Sequence, residues 1–182
     1  MNIEDLIKTR NFADGWCTAT LWGVARTFPN GVFGEIGFRC GGSALAFAIA
    51  AREVGGKVYS IDKYPCEEGR QRVADAGYAD IHNFILGDSA VMDFPEKLDV
   101  LFIDGNHTYQ DVRLDYKRHY GRVKQGGVIF FHDPVSCEGV RKFVTVERIP
   151  FLPYGAGLAM EVVGWTPESP CWPSVQVDRS RG

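Results

Sequence analysis

The sequence predicts an α/β fold built on a doubly wound, mostly parallel sheet, and three observations lead there. From Val32 onward, short β-rich runs alternate with segments of helical period. The first of these runs breaks into a glycine-rich turn over residues 33–43. Acids then recur where runs end, at Asp62, Asp88, Asp104 and Asp133, along the sheet edge where open α/β folds collect ligands. The chain has 182 residues, 45% apolar and 24% charged, enough for one globular domain with its own core.

Residues 1–30 carry Trp16, Leu21, Trp22, Val24 and Phe28 before Pro29-Asn30-Gly31, which predicts one or two short helices ahead of the sheet. They either form a lid or cover one edge of the sheet, and aromatic side chains favour packing. The first strand, 32–36, runs into Glu35-x-Gly37-x-x-x-Gly41-Gly42-Ser43, and a helix follows over 43–54. Glycines at 37, 41 and 42 permit positive φ and close backbone approach, and the helix start offers unpaired N–H groups to a ligand. A tight strand–helix connection with no ligand is the competing reading. The Gly-x-Gly-x-x-Gly spacing is absent, which disfavours NAD or FAD.

The second strand, 57–62, ends in Asp62. In doubly wound sheets a carboxylate roughly 20 residues past the first glycine turn accepts the ribose hydroxyls of a nucleotide. With Glu35, Gly37 and Asp62 in place, the chain resembles the class I S-adenosylmethionine-dependent methyltransferases over about residues 31–165. A helix over 67–76 and a third strand over 81–86 lead to Gly87-Asp88-Ser89. The resemblance implies that Asp88 and Ser89 contact the adenine ring; a plain Asx turn is the alternative.

The fourth strand, 98–103, leads into Asp104-Gly105-Asn106-His107-Thr108-Tyr109. Thr108 and Asp111 have capping-box spacing, and apolar positions 109, 112, 116, 120 and 123 continue with helical period, so a helix starts at about Thr108. Asp104 and His107 are left in the loop, facing the cleft edge, unless His107 staples onto Val112 across the helix start. The fifth strand, 127–131, ends in His132-Asp133-Pro134. As the neighbour of the fourth, it brings Asp133 near Asp104, an oxygen-rich pair of the kind Mg²⁺ prefers.

Asp-Gly-Asn-His-Thr-Tyr followed by Gly-Gly-Val-Ile-Phe-Phe-His-Asp resembles the metal-dependent small-molecule O-methyltransferases related to macrocin O-methyltransferase. That resemblance implies a seven-stranded Rossmann-like methyltransferase sheet with an antiparallel closing edge, made by residues 148–151 and 157–165. It also implies S-adenosylmethionine held by Glu35, Gly37, Gly41, Gly42, Ser43, Asp62, Asp88 and Ser89, a divalent metal (Mg or Mn) on Asp104 and Asp133, and His107 as the base. His132 stands where the family carries an acid, and imidazole suits Mn²⁺, Fe²⁺ or Zn²⁺ better than Mg²⁺. His132 is therefore either a third ligand or a cleft residue bonded to backbone. His82 and His119 receive no role.

The formal net charge of -3 argues against a broad nucleic-acid or anionic-membrane footprint. Glu4 and Asp5 stand where a signal peptide would be basic and then apolar, so the expectation is a cytoplasmic protein. Five cysteines, at 17, 40, 66, 137 and 171, form no Cys-x-x-Cys pair and read as reduced thiols. Residues 166–182, with three prolines, read as an extended or mobile tail. The expected partner is a small-molecule acceptor, with self-association left open. Little chain remains for an acceptor-binding cap, so the rival function is S-adenosylmethionine binding without methyl transfer.

Overall fold

The computed structural model describes residues 1–9, 15–153 and 155–165; the predicted tail and Cys171 lie outside them. Two helices, α1 (Ile3–Lys8) and α2 (Gly15–Ala25), precede β1 (Val32–Ile36). There follow α3 (Gly42–Val54), β2 (Lys57–Asp62), α4 (Glu67–Asp75), β3 (His82–Leu86), β4 (Leu98–Ile103), α5 (Tyr109–His119), β5 (Val123–His132), α6 (Glu138–Val146), β6 (Phe151–Leu152) and β7 (Leu158–Val162). They form one seven-stranded sheet in the order β3-β2-β1-β4-β5-β7-β6. The first five strands of that order are parallel, and the hairpin of β6 and β7 closes the edge antiparallel to β5. The doubly wound, mostly parallel sheet with an antiparallel edge is the predicted one.

Side chains alternate between the two faces of each strand, and both faces are covered, as parallel sheets require. Phe33, Val58, Val100, Phe102, Val128 and Phe130 belong to one apolar layer, with Phe47 of α3 and the buried Leu6, Cys17, Leu21 and Ala25 of α1 and α2. Ile36, Ile61, Leu101, Ile103, Ile129 and Phe131 belong to the other, with Val112 of α5 and Val140, Phe143 and Val144 of α6. The N-terminal helices thus pack with α3 in the first layer.

Three boundaries depart from the sequence reading. The helical period through Tyr120 and Val123 outlasts the helix itself: α5 ends at His119, a 3-10 turn covers Tyr120–Arg122, and Val123 already pairs with Leu98 of β4. Strand β5 begins four residues before the expected start, because the glycines taken for its boundary sit inside it. Between Val123 and Val128 the register against β4 shifts, with Gly126 at φ 78, the signature of a bulge. At the other end β7 stops at Val162, where Gly164 turns at φ 76.

Candidate functional site

A cleft of about 580 Å³ opens where the parallel strands end, lined among others by Ile36, Gly37, Arg39, Asp62, Asp88, Ser89, Asp104, Asn106 and Asp115. A larger, shallower depression of about 840 Å³ runs along α4 beside Met1 and holds none of the candidate residues.

Gly37 is required by a close approach. At φ 91, a Cβ built on it would stand 2.1 Å from the Asp104 carbonyl oxygen, so only glycine lets the turn after β1 lie against the end of β4. Asp62 ties the same turn down. Its Oδ2 accepts from the Phe38 and Arg39 amides and its Oδ1 from the Tyr64 amide, each at 2.9 Å. Three of the roughly four acceptor positions of a carboxylate are thereby used. Gly41, Gly42 and Ser43 do not line the cleft; they form the start of α3, where no side chain caps the helix.

Glu35 does not reach the cleft either. It faces the first apolar layer, fully buried, and accepts from Ser43 Oγ at 2.5 Å and from Ser60 Oγ at 2.6 Å. Burial outweighs those hydrogen bonds and pushes its carboxyl up to about 8. Ser60 Oγ also meets His82 Nε2 at 2.8 Å, so a histidine without an assigned role anchors a buried polar chain beneath the turn.

Asp88 and Ser89 both line the cleft. Asp88 Oδ1 accepts from the Ala90 amide at 2.8 Å, the Asx turn read as the alternative, and this leaves Oδ2 toward solvent or ligand. Ser89 Oγ donates to Asp115 Oδ1 at 2.6 Å, and the Ser89 carbonyl meets His119 Nε2 at 2.9 Å. Asp115 is a residue the sequence reading missed. It is 5% exposed yet reaches the cleft, and burial, only partly offset by Ser89, pushes it up to about 6. The available signal was an acid beside the apolar stripe of a helix, ordinarily read as solvated.

Beyond Asp104 the cleft meets a cluster of two carboxylates and two imidazoles. Asp104 Oδ1 lies 3.1 Å from His107 Nε2 and 3.2 Å from His132 Nδ1. Asp133 reaches the same rings from the other side, Oδ2 to His107 Nε2 at 3.4 Å and Oδ1 to His132 Nδ1 at 3.5 Å. The geometry follows from the sheet. Ile103 pairs with Phe131, so the residues after each stand side by side; His132, in phase with Phe130, turns toward the first layer, where it meets the Phe102 ring edge-on. Asp133 has φ 66, a left-handed conformation that Asp tolerates better than most residues.

Each ring answers to these carboxylates. The hydrogen bond with Asp104 raises His107 above the usual imidazole range. Burial alone would lower His132, but Asp104, Asp133 and the Cys17 thiol of α2 together hold it up at about 12. The His132 hydrogen bond takes Asp133 down to about 2. Both rings are thus engaged by carboxylates, whereas a contact with Val112 and a backbone bond were the alternatives. One donor atom each from Asp104, His132 and Asp133 lie within 4.8 Å of one another. A mixed nitrogen and oxygen set of this kind fits a first-row divalent ion.

Methyltransferase domains match this chain over residues 35–134. Among solved structures, the O-methyltransferase TomG from Streptomyces achromogenes, in complex with S-adenosylmethionine, aligns with a TM-score of 0.70 at 20% identity, covering 82% of this chain and 80% of that one. The methyltransferase PaMTH1 of Podospora anserina, bound to S-adenosylhomocysteine, aligns at 0.65 and 18% identity, over 86% and 83%. An S-adenosylmethionine-dependent O-methyltransferase from Thermotoga maritima aligns at 0.68 and 13%, over 90% and 72%. A curated relative, an uncharacterised protein of Acanthamoeba polyphaga mimivirus, is 35% identical over 83 residues, which span 41% of this chain and 36% of that protein. The match to the domain family takes in more than half of the residues, and the solved structures share the fold over most of the chain: the chain belongs to the methyltransferase-domain family and has the class I S-adenosylmethionine-dependent methyltransferase fold.

Proposed function

We propose that this protein transfers the methyl group of S-adenosylmethionine to an oxygen of a small hydroxylated acceptor. The observation that carries the reading is the double position of Asp104, which lines the cleft and whose Oδ1 joins both imidazoles. Methyl donor and proton acceptor would thus meet at one side chain.

Gly37, Asp62, Asp88 and Ser89 face the cofactor in this reading, with Gly41, Gly42 and Ser43 offering the uncapped start of α3. Glu35 supports that start from behind through Ser43. Asp104, His132 and Asp133 would hold a divalent cation, whose chemistry when bound is to stabilise the acceptor as an oxyanion. The acceptor oxygen attacks the methyl carbon in line, the carbon–sulfur bond breaks with its electron pair going to sulfur, and the hydroxyl proton goes to His107 Nδ1, while Nε2 keeps its own proton toward Asp104. Positioning and water exclusion supply much of the rate, since the sulfonium is already reactive.

The test is incubation with S-adenosylmethionine and Mn²⁺ across a panel of small phenols and sugars, with S-adenosylhomocysteine followed by mass spectrometry. Product formation supports the reading. Tight cofactor binding by calorimetry with no product across the panel favours a binding protein instead, and binding of NAD in place of S-adenosylmethionine would overturn both.

A further inference from the structure

Asp133 faces two ways. Its Oδ1 is directed to His132 and accepts from Ser136 Oγ at 2.7 Å, while its Oδ2 is directed to His107. Close to both His107 and Asp133 stands Cys137, the residue before α6. Donor atoms of His107, Asp133 and Cys137 all lie within 4.8 Å of one another. Three separate pieces of the chain supply them: the loop after β4, the end of β5 and the start of α6.

Their meeting is built into the backbone. A Cβ at Gly139 would stand 2.2 Å from the His107 carbonyl oxygen and 2.6 Å from the Tyr109 amide nitrogen, so a glycine there lets the first turn of α6 abut the His107 loop. The Cys137 amide donates to the Asp133 carbonyl at 2.9 Å, which fixes the tight turn between the two ligands. Cys137 is half-buried and not sealed in the core.

We propose that His107, Asp133 and Cys137 form a second metal site, selective for Zn²⁺ and similar thiophilic dications, which overlaps the site on Asp104, His132 and Asp133. A neutral imidazole, a carboxylate and a thiolate are a common zinc donor set, and their two negative charges balance the dication. Tetrahedral zinc with bonds of 2.0–2.3 Å separates its ligands by about 3.3–3.7 Å; His107 Nε2 and Asp133 Oδ2 stand 3.4 Å apart. The fourth position is open to water. Coordination expels the thiol proton to solvent. Mg²⁺ and Mn²⁺ gain little from a thiolate, so the overlap discriminates between metals by softness.

The consequence is inhibition, and this half rests on the reading of His107 as the base. A neutral imidazole bonded to zinc through Nε2 carries its one proton on Nδ1, so neither ring nitrogen keeps a lone pair for an acceptor proton. Zinc bound here therefore stops methyl transfer while leaving the cofactor cleft open.

The decisive experiment uses the full chain stripped of metal. Co²⁺ is titrated into the parent, Cys137→Ser and Cys137→Ala while thiolate-to-cobalt absorption is followed in the near ultraviolet, and Zn²⁺ affinity is measured by chelator competition. The parent should show the band. Both variants should lose it and bind zinc at least about tenfold more weakly, a loss at or above that of outer-shell ligand mutations. Alkylation of Cys137 in the parent, read by mass spectrometry, should be blocked by Zn²⁺ and not by Mg²⁺, a measurement independent of whether either variant folds. A band that survives in the variants, or zinc that leaves Cys137 open to alkylation, overturns the site. Zinc that binds through Cys137 yet leaves turnover unchanged overturns its inhibitory role. If zinc binds as described and no acceptor is ever methylated, the metal site stands and the proposed function falls.

Discussion

Glu35 on β1 and Ser60 on β2 occupy paired positions in the sheet and share a 2.6 Å hydrogen bond inside its covered face. The carboxyl is raised to about 8 by burial, so the folded protein keeps a proton there that the unfolded chain releases near 4.5. Between those two values the native state binds more protons than the unfolded state. Stability must then fall as pH rises, by up to about 1.4 kcal/mol per unit, and level off above the folded value. Urea denaturation of the parent and Glu35→Gln at pH 5.5, 6.5 and 7.5 isolates this contribution, because other titrating groups cancel in the difference. A stability difference independent of pH would show that Glu35 is ionised in the folded protein.

Asp62→Ala removes the acceptor of three backbone-amide hydrogen bonds as well as any contact to ribose. Charge-assisted hydrogen bonds are worth about 1.5–3 kcal/mol, so affinity for S-adenosylhomocysteine should fall roughly 10- to 150-fold. Calorimetry reads the dissociation constant, and circular dichroism checks the fold. An unchanged constant in a folded variant removes Asp62 from the cofactor site.

Asp133→Asn tests the metal reading with little backbone cost, since Asn also tolerates the left-handed conformation found here. It should abolish Mn²⁺ binding measured by electron paramagnetic resonance and leave S-adenosylhomocysteine affinity within about twofold, because Asp133 is not among the residues lining the cleft. Full-rate methyl transfer by chelator-treated parent protein would assign the carboxylates a different task, that of orienting the acceptor.

His107→Ala should lower turnover by on the order of 10² to 10⁴, the range of a positioned base, with cofactor affinity nearly unchanged. Asp104 raises the ring above the ordinary imidazole range, so the rising limb of the parent's pH–rate profile should lie above about 6.5 and vanish in the variant. A profile of the same shape in both proteins would move the base to another group.

The fold was legible because periodicity, turn glycines and one helix cap agreed. Thr108 caps α5 through the Asp111 amide at 3.2 Å, as its spacing indicates, and β1, β2 and β4 fall where the apolar runs place them. The convergence of Asp104, His107, His132 and Asp133 was legible too, since it needs only that β4 and β5 be neighbours. Asp115, Cys17 and Cys137 were not, because each gains its position from an element distant in sequence: Asp115 from the Ser89 loop, Cys17 from its thiol's hydrogen bond with His132, Cys137 from the contact of Gly139 with the His107 loop. Glu35 shows the opposite failure. Its place at a strand end marked it for the ligand, but the alternation of side chains carries it under α3, where Ser60 and Ser43 are its partners.

The contact between Gly37 and the Asp104 carbonyl makes the turn after β1 and the Asp104 carboxylate, assigned to methyl donor and acceptor in the proposed reading, parts of one rigid body. Their separation is set by two hydrogen-bonded strands in the middle of the sheet, and no loop has to close to establish it. In the proposed reading, substitutions in the surrounding loops can accordingly redraw the acceptor's surroundings without lengthening the path the methyl group travels. Evolution of new substrates on this scaffold starts with the reaction coordinate already ruled to length.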